Sequence, residues 1–265
     1  MIERELNDAL RARFNPEGSA LRRQQRRMLD ILLYVDDICR RHNIRYWLSS
    51  GTLLGAVRHG GFIPWDDDLD IEMLREDYIR LLEHFEPSDD FVLQTRHNER
   101  YYLQPFAKVR DRHTILDECG NNLNYRHQGL FIDIFALEES PRPAYVCYGV
   151  LLHLLTRLQR GRTGGLARHI VTLGKSLIYG SIALLRPAMY LLPFKSLNHT
   201  YGAAPRWQSR NIEDIMPLRT IEFEGLTLPA PHDVDAYLRR MYGNYEALPD
   251  LRQLRTHSNG CRFLD

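Results

Sequence analysis

An α/β (α+β) fold, a mixed β-sheet flanked by helices and interrupted by a helical insertion, is predicted by three features of this 265-residue sequence. Two stretches near the N-terminus carry apolar residues every three or four positions, the period of a half-buried helix. Short apolar runs bounded by turn residues recur between 46 and 135, as strands do. Residues 140–212 then contain no Asp or Glu at all, which sets them apart from the rest of the chain.

Leu21 to Asn43 reads as one long helix, with Met28, Leu32, Val35 and Cys39 on its buried side and His42-Asn43 closing it. Tyr46 to Leu48 is a short strand. Ser49-Ser50-Gly51-Thr52 makes a tight turn, and Leu53 to Val57 begins a helix. From Asp66 the chain is read as extended, with Leu69, Ile71 and Met73 on its apolar face. Arg75 to Phe85 is a second helix, burying Tyr78, Leu81, Leu82 and Phe85. Phe91 to Gln94, Leu103 to Val109, Thr114 to Leu116 and Leu130 to Phe135 are strands. Asp233 to Tyr242 is a short helix stopped by Gly243. The expected organisation is a core over 1–139, a basic apolar helical insertion over 140–212, and a segment over 213–265 that completes the core.

The chemistry concentrates between Ser49 and Asp70. Asp66, Asp68 and Asp70 alternate, so an extended backbone aims all three at one face, opposite the apolar residues. Three like charges so close repel one another, and a hard divalent ion such as Mg²⁺ or Mn²⁺ suits their oxygens. Small residues at Gly51-Thr52 let backbone N–H groups and a helix N-terminus face a phosphate. Asp133 interrupts the apolar run Gly129 to Phe135, where an unpaired carboxylate is costly to bury; the same metal is its simplest partner. The competing readings are an acidic surface turn after Pro64 and an ion pair of Asp133 with Arg110 or Arg112. Arg58, Lys108 and Arg110 are candidate phosphate ligands, with His257 a further one.

Other acidic motifs fit less well. An EF-hand loop starting at Asp66 needs Gly at its sixth position and Glu at its twelfth, where this chain has Ile71 and Asp77. A haloacid-dehalogenase nucleophile needs an unbroken apolar strand before the first Asp, which Pro64 prevents. An Asp-x-Asp glycosyltransferase stays open, although it leaves the Gly-Thr turn and Asp133 unexplained.

The order Gly-Thr, Asp-x-Asp, then a lone Asp on a later strand resembles the nucleotidyltransferase fold. Within it, SGTLLGAVRHGGFIPWDDDLDIEM at 50–73 resembles the LicD family, phosphotransferases that include bacterial phosphocholine transferases and the fukutin-related proteins. The likeness continues through Lys108 to Thr114 and Gly129 to Phe135, and resumes at Glu222-Phe223-Glu224-Gly225 and Asp235-Ala236-Tyr237-Leu238. It implies a nucleotidyltransferase-like catalytic core that moves a phosphoalcohol from a CDP-alcohol donor to a hydroxyl of a cell-envelope glycan, releasing CMP. It also implies that Asp68 and Asp70 are metal ligands, Asp133 the third carboxylate, Gly51-Thr52 the phosphate turn, and Asp66 a ligand or an outer partner. The alternatives are an Asp-x-Asp glycosyltransferase, a nucleotidyl transferase acting on an NTP, and a non-catalytic glycan- or membrane-binding module.

A net charge of +1, with 44% apolar and 26% charged residues, describes an ordinary folded chain and argues against a nucleic-acid binder. Met1 to Glu5 lacks the apolar core of a secretory leader, and Cys39, Cys119, Cys147 and Cys261 have no metal-ligand spacing, so a cytoplasmic setting is expected. The 140–212 section holds ten Lys or Arg around two apolar stretches. Lys175 and Arg186 break the second into pieces too short to span a bilayer, so a helical hairpin resting on an anionic membrane is expected, or else an internal insertion.

Overall fold

A computed structural model describes residues 3–119, 125–159, 165–203, 209–252, 254 and 258–264. Two helices lead the chain, α1 (Arg4–Phe14) and α2 (Ala20–Arg41), followed by strand β1 (Trp47–Leu48) and helix α3 (Ser50–His59). Ser19 caps α2 by accepting a hydrogen bond from the Arg22 N–H, and the helix buries Met28, Ile31, Leu32, Val35, Ile38 and Cys39, the side its periodicity predicts. The sequence reading gave no helix at α1, where only Leu10 is buried; Asn7 and Arg11 tie it down by donating to the His59 carbonyl.

Next come β2 (Asp70–Leu74), α4 (Arg75–His84), β3 (Phe91–Gln94), β4 (Ala107–Asp111), β5 (Thr114–Asp117) and β6 (Phe131–Ser140). The strands of the main sheet run in the order β1-β2-β6-β4-β3. β2 and β6 are parallel, while β1, β4 and β3 pair antiparallel with their neighbours. α2 and α4 cover one face of this sheet, with Leu69, Ile71, Met73, Val109, Ile132 and Ile134 in the main core. The α+β class and the mixed sheet are therefore as the sequence predicts.

Several boundaries differ. β4 begins at Ala107 rather than Leu103, because Pro105 has no N–H to give to a ladder. β6 runs to Ser140 rather than Phe135, its far half pairing with a strand that returns from beyond the insertion. α3 already starts at Ser50, so Gly51 and Thr52 form its first turn rather than a loop before it. Residues 66–69 are irregular, and the regular strand starts only at Asp70.

The insertion folds as α5 (Arg142–Gln159) and α6 (Gly165–Tyr190), then β7 (Ser196–His199) joins the edge of β6. It has its own small core of Tyr148, Leu152, Tyr179, Ile182, Met189 and Tyr201. Lys175 and Arg186, the charges that interrupt the second apolar stretch, turn inward: Lys175 donates to the carbonyls of Glu99 and Arg100, and Arg186 pairs with Glu138. The outward face of α6 carries Leu173, Leu177 and Leu184. Among the described residues no helix is long and apolar enough to cross a membrane.

The rest comprises α7 (Ile212–Ile215), the hairpin β8 (Arg219–Phe223) and β9 (Leu226–Ala230), α8 (Val234–Tyr242), and β10 (Gly260–Phe263), which pairs with β5. Glu224 sits at the left-handed tip of the β8–β9 hairpin. Its carboxylate accepts from the Phe62 N–H and from Arg22, clamping the loop that leads into the acidic cluster.

Candidate active site

Adjacent parallel strands place residues of equal register side by side, and β2 and β6 are registered so that Asp70 faces Asp133. The Asp133 N–H donates to the Leu69 carbonyl at 2.9 Å, which locks the strand ends together. Asp68 and Asp66 lie within electrostatic reach of Asp70 from the irregular segment just before it. Burial and the carboxylates of Asp68, Asp133 and Asp66 push the Asp70 carboxyl well above the usual carboxylate range. Tyr242, at the end of α8, lies within electrostatic reach of Asp66, Asp68 and Asp70.

Two contacts fix the acidic segment against α3. The Asp70 N–H donates to Thr52 Oγ1 at 2.8 Å, so the buried Thr52 hydroxyl aims the start of β2. Gly51 gives Asp66 room: a Cβ there would lie 2.8 Å from Asp66 Oδ2. The Asp66 carboxylate therefore rests at the positive end of α3, where the helix dipole favours an anion. A third contact comes from the C-terminus, where Ser258 donates to Asp67 Oδ2 through its N–H at 2.9 Å and its hydroxyl at 2.7 Å.

The lysine and arginines predicted from sequence go to different places. Lys108 faces Asp133 in register across β4 and β6, its Nζ 3.0 Å from Asp133 Oδ1 and 3.5 Å from Glu118 Oε2. Asp133 thus has a cationic partner, though neither Arg110 nor Arg112. Burial still raises the Asp133 carboxyl, with Lys108 pulling the other way. Arg110 is wholly buried; its guanidinium binds Gln94 Oε1, the Gly129 carbonyl and Glu118, so it is not brought to the open side of the site. Arg58 is also buried; among the described residues its Nη1 reaches only the Tyr245 carbonyl at 3.3 Å, and its Nε and Nη2 meet no acceptor. His257 lies outside the described residues.

One functional neighbour was missed. Glu72, two residues beyond Asp70 on the same face of β2, is fully buried and accepts from Arg210, Tyr237 and Trp47, with His199 Nε2 2.7 Å away. Burial disfavours its charge, yet Arg210, His199 and Tyr237 hold the carboxyl down at about 2. Glu72 thereby fastens the exit of the insertion and α8 beneath the acidic cluster. Its spacing from Asp70 was the available signal.

The clustered groups are hard carboxylate oxygens, and the upward shift of Asp70 reflects a crowding of negative charge that a divalent cation would relieve. Among the described residues no three His, Cys, Asp or Glu side chains already converge on one metal point. Asp133 is turned to Lys108, and Asp66 to the space beside Gly51.

Residues 43–144 match the nucleotidyltransferase domain of the LicD/FKTN/FKRP family. The chain is 36% identical over 141 residues to the lipopolysaccharide cholinephosphotransferase LicD of Haemophilus influenzae, covering 49% of each protein. It is 50% identical over 44 residues to the human ribitol 5-phosphate transferase FKRP, which is 17% of this chain and 9% of that one. Mannosyltransferase regulator 4 of Saccharomyces cerevisiae is 30% identical over 124 residues, 45% of this chain and 10% of that protein. The chain spans about half the length, or less, of the curated relatives it matches. The acidic cluster, the α3 turn and Asp133 all lie inside the stretch, residues 43–144, that is similar to the LicD/FKTN/FKRP nucleotidyltransferase domain.

Proposed function

We propose that this chain is a phosphotransferase that moves a phosphoalcohol from a CDP-alcohol to a hydroxyl of a cell-envelope glycan, with CMP as the leaving product. The observation that carries the reading is the side-by-side register of Asp70 and Asp133, with Asp66 and Asp68 beside them at the N-terminus of α3. The activities of two relatives, transfer of phosphocholine and of ribitol 5-phosphate, point to a phosphoalcohol as the group moved.

The donor set fits Mg²⁺ or Mn²⁺, which Asp68 and Asp70 would hold with Asp133 or Asp66. Bound there, the cation would neutralise the donor diphosphate as charge shifts onto the leaving group. The chain's own residues do the rest. The first turn of α3 offers backbone N–H groups to a phosphate, and Arg58 has guanidinium nitrogens to spare for another. Asp133, raised by burial, is suited to take the proton of the acceptor hydroxyl as its oxygen bonds to the phosphorus bearing the alcohol. The bond from that phosphorus to CMP breaks in the same in-line displacement. Lys108, 3.0 Å from Asp133 Oδ1, works against the rise that burial causes.

Incubation with Mg²⁺ and CDP-choline, CDP-ribitol, CDP-glycerol or CDP-ethanolamine in turn, following CMP, tests the reading. CMP release that disappears in Asp68→Asn and Asp70→Asn supports it. Pyrophosphate from an NTP instead would make this a nucleotidyl transferase, and silence with every donor would favour a binding module.

The apolar outer face of α6 is proposed to rest on the cytoplasmic side of a membrane, near a lipid-linked glycan acceptor. Because Lys175 and Arg186 point inward, the leucines carry this contact. Leu173→Glu with Leu177→Glu should reduce sedimentation with liposomes, and unchanged partitioning would remove the membrane from the proposal.

A further inference from the structure

A cavity of about 140 Å³ lies where α6 packs over α4 and the end of β3, on the far side of an aromatic wall from the acidic cluster. Phe106, in its lining, packs on Phe135 with ring centroids 4.5 Å apart, and Phe135 stacks on His199 at the same distance. A single water needs only about 10–15 Å³, so the space holds a group of several heavy atoms. Arg75, Arg96 and Arg186 all line it, and no carboxylate does.

The three guanidinium groups are held differently. Glu138, buried behind the wall, pairs with Arg75 at 3.6 Å and with Arg186 at 3.1 Å and so fixes both. Arg96 has no ion pair or hydrogen bond among the described residues; its guanidinium lies over the Tyr179 ring, 4.2 Å from the centroid. Burial and the nearby Arg186 and Arg75 disfavour its charge, which only the Tyr179 and Tyr78 hydroxyls ease. One carboxylate for three arginines leaves an excess of positive charge facing an enclosed space. The Tyr78 hydroxyl, also at the lining, makes no hydrogen bond among the described residues. A tetrahedral dianion answers every one of these features: it takes forked N–H donors, accepts from a phenol and supplies the missing charge.

We propose that this cavity is a second anion site, which binds a phosphate ester between the catalytic core and the insertion. The binding does not depend on the transfer reaction proposed above, so the two can fail separately. Its source is either a soluble sugar phosphate or the headgroup of a phospholipid, and the chemistry of recognition is the same for both.

The test is calorimetric titration of the full chain, in EDTA to keep divalent metal off the acidic cluster, with pyrophosphate, glucose 1-phosphate, and phosphatidylcholine vesicles with and without phosphatidic acid. Saturable binding that falls about tenfold or more in Arg96→Gln, yet survives in Asp68→Asn, is the expected result. Arg96-dependent binding of glucose 1-phosphate assigns a soluble ester, and Arg96-dependent binding of the phosphatidic acid vesicles alone assigns a lipid headgroup. Absence of binding by all probes, binding indifferent to Arg96→Gln, or binding lost in Asp68→Asn overturns the proposal. Should Arg96→Gln not fold, hydrogen exchange of the wild-type chain decides: pyrophosphate must slow exchange in both 75–82 and 178–186, and no protection there rejects the site.

Discussion

Lys108 Nζ stands 3.0 Å from Asp133 Oδ1, the two residues facing each other in register across β4 and β6. Lys108 also caps the Phe131 ring, 3.0 Å from its centroid, so its position is set by packing as well as by charge. It is the main force holding the Asp133 carboxyl down against burial. An opposite charge this close is worth about 1–3 pKa units. Lys108→Met should therefore raise the Asp133 pKa further and move the ascending limb of the pH–rate profile toward alkaline pH by about one unit or more. Mg²⁺ affinity should fall more at pH 6 than at pH 8. A limb that does not move would show that Asp133 is not the titrating group.

Thr52 tests whether the acidic strand is aimed from α3. Its Oγ1 accepts from the Asp70 N–H at 2.8 Å in a buried setting. Thr52→Val keeps the shape but strands that N–H, a loss of about 1–3 kcal/mol, while Thr52→Ser restores the acceptor. Urea denaturation should show the deficit in the Val variant and its recovery in Ser. CMP release should follow the same order, and equal activity of all three would deny Thr52 its positioning role.

What could be read from the letters and what could not separate along physical lines. That Asp68, Asp70 and Asp133 come together was legible because like charges at alternating positions and a carboxylate in an apolar run are each costly without a partner. The α2 and α4 faces were legible from period alone. The Glu72 hub was not: its partners His199, Arg210 and Tyr237 stand 127, 138 and 165 residues away, and only tertiary folding reveals them. The partners of Lys175 and Arg186 were hidden for a related reason, since the Glu99 and Arg100 carbonyls and Glu138 lie far away in the sequence. Arg110 was taken for a substrate ligand because Glu118 and Gln94, which occupy it, gave no pattern.

Gly51→Ala separates folding from function. Gly51 sits in the first turn of α3 without a left-handed φ, so Ala is conformationally acceptable and favours the helix by up to about 1 kcal/mol. Its Cβ would nevertheless come within 2.8 Å of Asp66 Oδ2 and push that carboxylate aside. The variant should melt at or above the wild-type temperature while binding Mg²⁺ more weakly and turning over more slowly. Retained metal affinity would mean that the place of Asp66 against α3 does not matter to the site.

His59 supplies a pH dependence of stability. The ring is buried at the end of α3, its Nδ1 2.8 Å from Asn7 Oδ1, and its Nε2 has no hydrogen-bond partner among the described residues. Asn7 Nδ2 donates to the His59 carbonyl, which leaves Asn7 Oδ1 to accept from Nδ1–H and makes the neutral tautomer the fitting one. Burial, with Arg58 and Arg11 nearby, lowers the imidazole to about 4. In the unfolded chain the ring gains its proton near pH 6.5, so between these values the unfolded state binds more protons and stability rises with pH. The contribution is complete above about pH 6.5 and is lost as pH falls toward 4; at pH 5 the deficit is about 2 kcal/mol at most. His59→Gln, which cannot titrate, should flatten that part of the stability curve measured by urea denaturation between pH 7 and pH 5. A wild-type curve already flat over this range would show that His59 takes up its proton in the folded chain as readily as in the unfolded one.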